Sequence, residues 1–248
     1  MNLRIRSIPR IALLAAALGA AALTGCGDRE AAEAARAAAQ AAANEQAAKE
    51  YADGFDDAVG REDWALAKAQ GDVLFARFPG TEQAERIRPR YEEVKAKAAD
   101  EREHARAAAL WSYQSEDVKG GKQLSAAIYS KDPVDTDGSG ANPVRLIFRD
   151  HPTWGTSSYL VLQAGDFACR GGCRVKVRVD DADPKSMAAL RPDTDEAIAM
   201  FINDERGLWR MLKDAKQVSV EFPVKAGGTR TAAFEVAGLD RSKLPGWD

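Results

Sequence analysis

Arg174-Val175-Lys176-Val177-Arg178-Val179-Asp180 is the stretch that decides the fold class. Val175, Val177 and Val179 alternate with Lys176 and Arg178, and successive side chains of a strand point to opposite faces. The pattern predicts a half-buried strand with a valine face inward and a basic face outward. Working outward, Leu110–Tyr113, Leu124–Tyr129, Val144–Arg149, Ser158–Gln163 and Ala197–Ile202 read as further short strands. Between Asp204 and Ala215, the residues Leu208, Met211 and Leu212 share one helical face and predict one late helix. Val218–Phe222 and Thr231–Val236 close the chain as an antiparallel pair around Gly227-Gly228. Residues 110–248 therefore read as an α+β domain on a mainly antiparallel sheet.

The chain before residue 110 has a different character. Its segment from Gly27 to Tyr113 holds 18 acids and 13 bases, whereas Gln114 to Asp248 holds 20 and 19. Glu30 to Glu50 is made almost wholly of Ala, Glu, Gln and Lys, the best helix formers, with nothing large enough to pack. Residues 26–50 thus read as an anchor and solvated helical spacer, and without Leu or Ile heptads they do not read as a coiled coil. Over 51–109, Tyr51, Phe55, Ala58 and Val59, then Leu66, Val73, Leu74 and Phe78, then Ile87, Tyr91, Val94 and Ala98 recur at helical spacing. Phe78-Pro79-Gly80-Thr81 stops one helix, and Thr81 can cap the next. Pro89 should kink that last helix or mark a restart. Gly60 to Ala69 followed by Leu74 to Thr81 resembles one tetratricopeptide-type hairpin; stable arrays need about three or more such units.

The first residues carry an address. Arg4, Arg6 and Arg10 precede Ile11–Ala22, a short apolar run, and no acidic residue occurs before Asp28. A positive start, an apolar centre and a small-residue cleavage site make a signal peptide over residues 1–25. The run falls short of the ~20 residues of a transmembrane span. Leu23-Thr24-Gly25-Cys26 resembles the bacterial lipobox, which implies diacylation of Cys26 and cleavage before it. Acyl chains hold a protein on a bilayer at roughly 0.8 kcal/mol per buried methylene. Gly27, where retained inner-membrane lipoproteins carry Asp, implies by the same resemblance the inner leaflet of the outer membrane, facing the periplasm. Residues 1–25 contain three Arg and no acid, so the formal charge of −3 becomes −6 once they are removed. That balance argues against a nucleic-acid partner.

A second resemblance covers about 110–244. Trp111-x-Tyr113, Leu146-x-Phe148-Arg149, Tyr159-Leu160, Val175-x-Val177-x-Val179-Asp180-Asp181, Phe201-Ile202, Leu212-Lys213-x-Ala215-Lys216 and Phe234-x-Val236-Ala237-Gly238-Leu239 occur in that order. The order is similar to the β-rich periplasmic domain of the type VI secretion-associated TagO proteins. It implies a fold, and it brings no catalytic residues with it.

Few residues carry chemistry on their own. Cys169-Arg-Gly-Gly-Cys173 is the sharpest local feature. With Cys26 acylated, an even pair remains, and in an oxidising periplasm it should form a disulfide. A redox pair would want two intervening residues and a helix N-terminus. A zinc site would want two more ligands, and His104 and His151 are the only histidines. Asp135-Thr-Asp137-Gly-Ser139-Gly140 opens like a calcium loop, but its twelfth position is Leu146 rather than Glu, so an exposed turn is the reading preferred. His151, in Asp150-His-Pro-Thr-Trp154, has Asp and Ser nearby but no nucleophile elbow. Trp154 and Tyr159 form a possible binding surface for a glycan or peptide. No catalytic set, metal or cofactor is expected. The expectation is a non-enzymatic envelope lipoprotein that binds or scaffolds an envelope protein or peptidoglycan. The alternatives are an inhibitor or immunity protein against a periplasmic hydrolase, acting through loop 132–143 or 150–157, and a hydrolase using His151.

Overall fold

A computed structural model describes residues 25–193 and 198–248, with side chains from Asp28 onward. The signal segment 1–24, the Cys26 side chain and Ala197 of one expected strand lie outside that description. Two compact units divide the chain, one ending at Ala98 and the other running Ala99–Asp248. The division falls inside a helix, whereas the change of composition falls where the first strand begins.

The first unit is built from α1 (Gly25–Gly60), α2 (Trp64–Arg77) and the first part of α3 (Glu82–Ala108). The spacer and the first packing residues form one continuous helix: the Ala-rich stretch is exposed, and burial starts near Ala48. Ala48, Ala52, Phe55, Ala58, Ala67, Leu74, Ala84, Ile87 and Val94 make its core. Asp63 caps α2 by accepting from Leu66 N at 3.0 Å. Thr81 accepts from Ala84 N at 3.3 Å, and Glu45 of α1 accepts from Glu82 N and Gln83 N at 3.0 and 3.1 Å. The free amides at the start of α3 are thus satisfied partly from another helix. α3 runs through Pro89 without a break, its ring lying on the exposed side. No helix among the described residues is long and apolar enough to cross a membrane.

The second unit is an α+β domain. Its nine-stranded sheet joins β1 (Trp111–Val118), β2 (Gly121–Tyr129), β5 (Arg145–His151), β6 (Gly155–Val161), β7 (Cys173–Val179), β8 (Lys185–Leu190), β9 (Ala199–Ile202), β10 (Gln217–Pro223) and β11 (Thr229–Glu235). The order is β1-β2-β5-β6-β9-β8-β7-β10-β11, with every pair antiparallel. A two-stranded ribbon, β3 (Val134–Asp135) with β4 (Ala141–Asn142), lies beside it. Lys131 N donates to Ala233 O at 2.7 Å, and Arg230 Nε to Asp135 O at 2.6 Å, so β11 is drawn toward the segment after β2. Every strand of the sheet supplies its inward residues to one core.

The closing hairpin pairs Val218 with Phe234 and Val220 with Ala232, its turn passing through Gly227-Gly228. The late helix α4 (Glu205–Met211) is capped by Asp204, whose carboxylate accepts from Gly207 N at 3.1 Å. Sequence reading did not mark Trp209 and Trp247, which are nearly inaccessible. They pack edge-on against Phe148 at 5.2 and 5.3 Å and make the aromatic centre of the core. β8 was also not marked. Lys185-Ser-Met-Ala-Ala-Leu190 has no β-branched residue, and pairing with β7 and β9 overrides its weak propensity.

Candidate functional site

β5 places its side chains alternately. Leu146 and Phe148 enter the core, while Arg145, Ile147, Arg149 and His151 take the opposite face. Cross-strand register continues that face sideways. Ile147 lies beside Ala127 and Tyr159, Tyr159 beside Phe201, and Phe201 beside Leu190. Arg145 lies beside Tyr129 and Val161. The outer side of β2-β5-β6-β9-β8 therefore carries a continuous apolar row flanked by two arginines. Tyr129, Trp154 and Leu190, three of the large apolar residues that remain exposed, are all here, and Trp154 is 70% accessible.

The arginines lie against rings. Arg145 sits over Tyr129 at 5.6 Å, and Arg149 over Trp154 and Tyr159 at 5.6 and 5.5 Å. A cation on an aromatic face contributes about 0.5–2 kcal/mol. Neither guanidinium forms an ion pair among the described residues. The Nε atoms of both, and Ser157 Oγ between them, are buried with no hydrogen-bond partner. A buried donor left unmet costs about 1–3 kcal/mol. Three such atoms on one face are an unusual concentration, because native folds satisfy nearly all buried polar atoms. Burial pushes the Tyr159 phenol up from its ordinary value, and the charges of Arg149 and Arg145 pull it back down in part.

His151 belongs to the turn rather than to a reactive centre. Its ring stacks on Trp154 with centroids 3.9 Å apart, and it is buried. Nδ1 accepts from Thr153 N at 3.1 Å and Trp154 N at 3.3 Å, which occupies that lone pair. His151 thereby fixes the β5–β6 turn and presents Trp154. Trp154 and Tyr159 are brought together through Arg149, which sequence reading did not single out. The alternation Arg145-x-Ile147-x-Arg149, the same signal as in β7, could have found it.

The other candidates lie elsewhere. Cys169 and Cys173 are disulfide-bonded, with Cα atoms 5.0 Å apart. Gly171 and Gly172 between them both take positive φ, 75° and 102°, a region that favours glycine. Cys169 O also accepts from Arg191 N at 3.0 Å, so the clip holds the entry of β7 against the end of β8. In the Asp135–Gly140 loop, Asp135 Oδ1 accepts from the amides of Asp137 and Gly138, and Asp137 Oδ1 from Ser139. Its carboxylates organise the turn itself. Among the described residues no group of three or more His, Cys, Asp or Glu could hold a metal ion.

No family model matches the chain, and no curated protein does. Among solved structures, invasion associated protein B from Bartonella henselae aligns at 14% identity and a TM-score of 0.34, over 52% of this chain and 85% of that one. At that score the likeness carries no argument.

Proposed function

We propose that this protein is a lipid-anchored envelope binding module, held on the periplasmic side of the outer membrane through Cys26, that engages an envelope protein or peptidoglycan without catalysing a reaction. The observation that carries the binding half is the outer face of β5-β6-β9, where Arg145, Arg149, Tyr129, Trp154 and Tyr159 gather with buried donors unmet. A fold that needs only solubility has no reason to collect arginine and aromatic groups there. Arg, Trp and Tyr are the residues that dominate binding at protein interfaces. The anchor half rests on Leu23-Thr24-Gly25-Cys26. The exposed α1 spacer, about 1.5 Å per residue where helical, sets the domain off from its lipid.

Two experiments test the two halves. Cys26→Ser should give an uncleaved or soluble form, and continued fractionation with the outer membrane would refute the anchor. Crosslinking of the anchored protein in its native cell should capture one specific partner, and substitution of Arg149 should abolish the capture. Persistence of capture after that change refutes this face as the site. A second reading has one observation in its favour. Trp154 projects from the 150–157 turn, as a loop inserted into a hydrolase active site would; a captured hydrolase would establish the inhibitor role.

A further inference from the structure

We infer that the Arg145–Arg149 face receives an extended acidic segment of a partner protein, whose carboxylates meet the two guanidiniums; the inference rests on the binding-module reading and names its ligand class. Arg145 and Arg149 stand four residues apart on β5, about 13 Å along the strand, with Ile147 midway on the same face. Their complement is an extended chain with two acids four residues apart and an apolar side chain between them. Guanidinium groups pair with carboxylates through a two-pronged set of N–H donors, and no carboxylate among the described residues fills that role for either arginine. The chain is acidic overall, with a formal charge of −3, so this local positive face runs against its bulk charge. A glycan fits less well. Sugars stack on open ring faces, whereas His151 covers Trp154 at 3.9 Å and Arg149 lies over both Trp154 and Tyr159. Those contacts leave the guanidinium donors, flanked by apolar surface, as the chemistry on offer.

The test uses the acylated full chain in an uncharged detergent. It is titrated with a peptide repeating Glu-Ser-Leu-Ser-Glu, with the Gln-Ser-Leu-Ser-Gln counterpart, and with soluble peptidoglycan fragments. The Glu peptide should bind and the Gln peptide should not. Arg145→Gln and Arg149→Gln should each weaken binding about tenfold, the worth of one charge-assisted hydrogen bond. Lys176→Gln, on β7, should leave it unchanged. An unaltered thermal transition establishes that the variants are folded. Equal binding of the two peptides, or undiminished binding by the arginine variants, overturns the inference. Arg149-dependent binding of peptidoglycan fragments without binding of the Glu peptide also overturns it, yet leaves the binding-module reading standing. Binding of none of the three overturns it as well, and that reading is then decided by crosslinking in the cell.

Discussion

Two strands of one sheet carry bases outward and treat them differently. On β7, Lys176 meets Glu221 at 2.8 Å, and Arg174 donates to Ser186 Oγ at 2.7 Å and to its carbonyl at 2.9 Å. On β5, Arg145 and Arg149 meet rings and no carboxylate. A third arginine sharpens the contrast. Arg191 is only 4% accessible, and its Nε donates to Asp166 at 3.0 Å. Where the fold buries a guanidinium deeply it supplies an anion, and where a strand base is free to reach solvent it finds a neighbour. β5 does neither. The difference teaches that alternation of charge along a strand fixes only which way a side chain points, and that its partners across the sheet say whether the charge serves the fold.

The inner side of β5 gives the largest expected effect. Phe148→Ala would open a cavity among Trp111, Trp209 and Trp247 and cost about 3–5 kcal/mol, read by chemical denaturation. A loss near zero would mean that the core is not organised around this residue.

The paired arginine comes next. Burial works to raise the Asp166 carboxyl, but hydrogen bonds from Arg191 and Lys225 outweigh it and hold the carboxyl below its ordinary value. The folded value therefore lies below the unfolded one, so the stabilisation is present above the unfolded carboxylate pKa of about 3.9. It is lost as pH falls through the lower, folded value. Asp166→Asn should cost about 2 kcal/mol at neutral pH and remove that share of the acid sensitivity, measured as stability against pH. An unchanged acid limb would deny Asp166 this part.

Opening the Cys169–Cys173 clip by changing both residues to Ser should cost about 1–2 kcal/mol without loss of the fold, since the loop it closes is small. Two free thiols in protein isolated from the periplasm would contradict the disulfide outright.

Arg149→Gln should be the smallest in stability, within about 0.5 kcal/mol of zero, because no ion pair is lost. It should nonetheless raise the Tyr159 pKa further, since one of the charges lowering it is removed. A spectroscopic titration of the phenol reads that shift. A substantial stability loss would place Arg149 with Arg191, as part of the fold.

Strong alternation and the closing hairpin made the sheet legible, and the spacing of Leu208 and Leu212 made α4 legible. β1 reaches Val118, beyond the expected Tyr113, because Gln114 to Asp117 pair through their backbone while their side chains face solvent or only partly pack. The C-terminal tail hid its role. Trp247 follows Leu244-Pro-Gly, which reads as a loop, and only the packing against Phe148 and Trp209 places it in the core. For the site, Trp154 and Tyr159 were legible as aromatics beside turns and strands. Arg149 between them was not, because its stacking depends on β5 pairing with β6 in one register.

Site-specific photo-crosslinking in the native cell, from Tyr129 on the β5 side and from Lys176 on β7, tests the central claim most directly. The account predicts one discrete adduct from Tyr129, lost when Arg149 is changed to Gln, and none from Lys176. The same adducts from both positions, or an adduct from Lys176 alone, would contradict it.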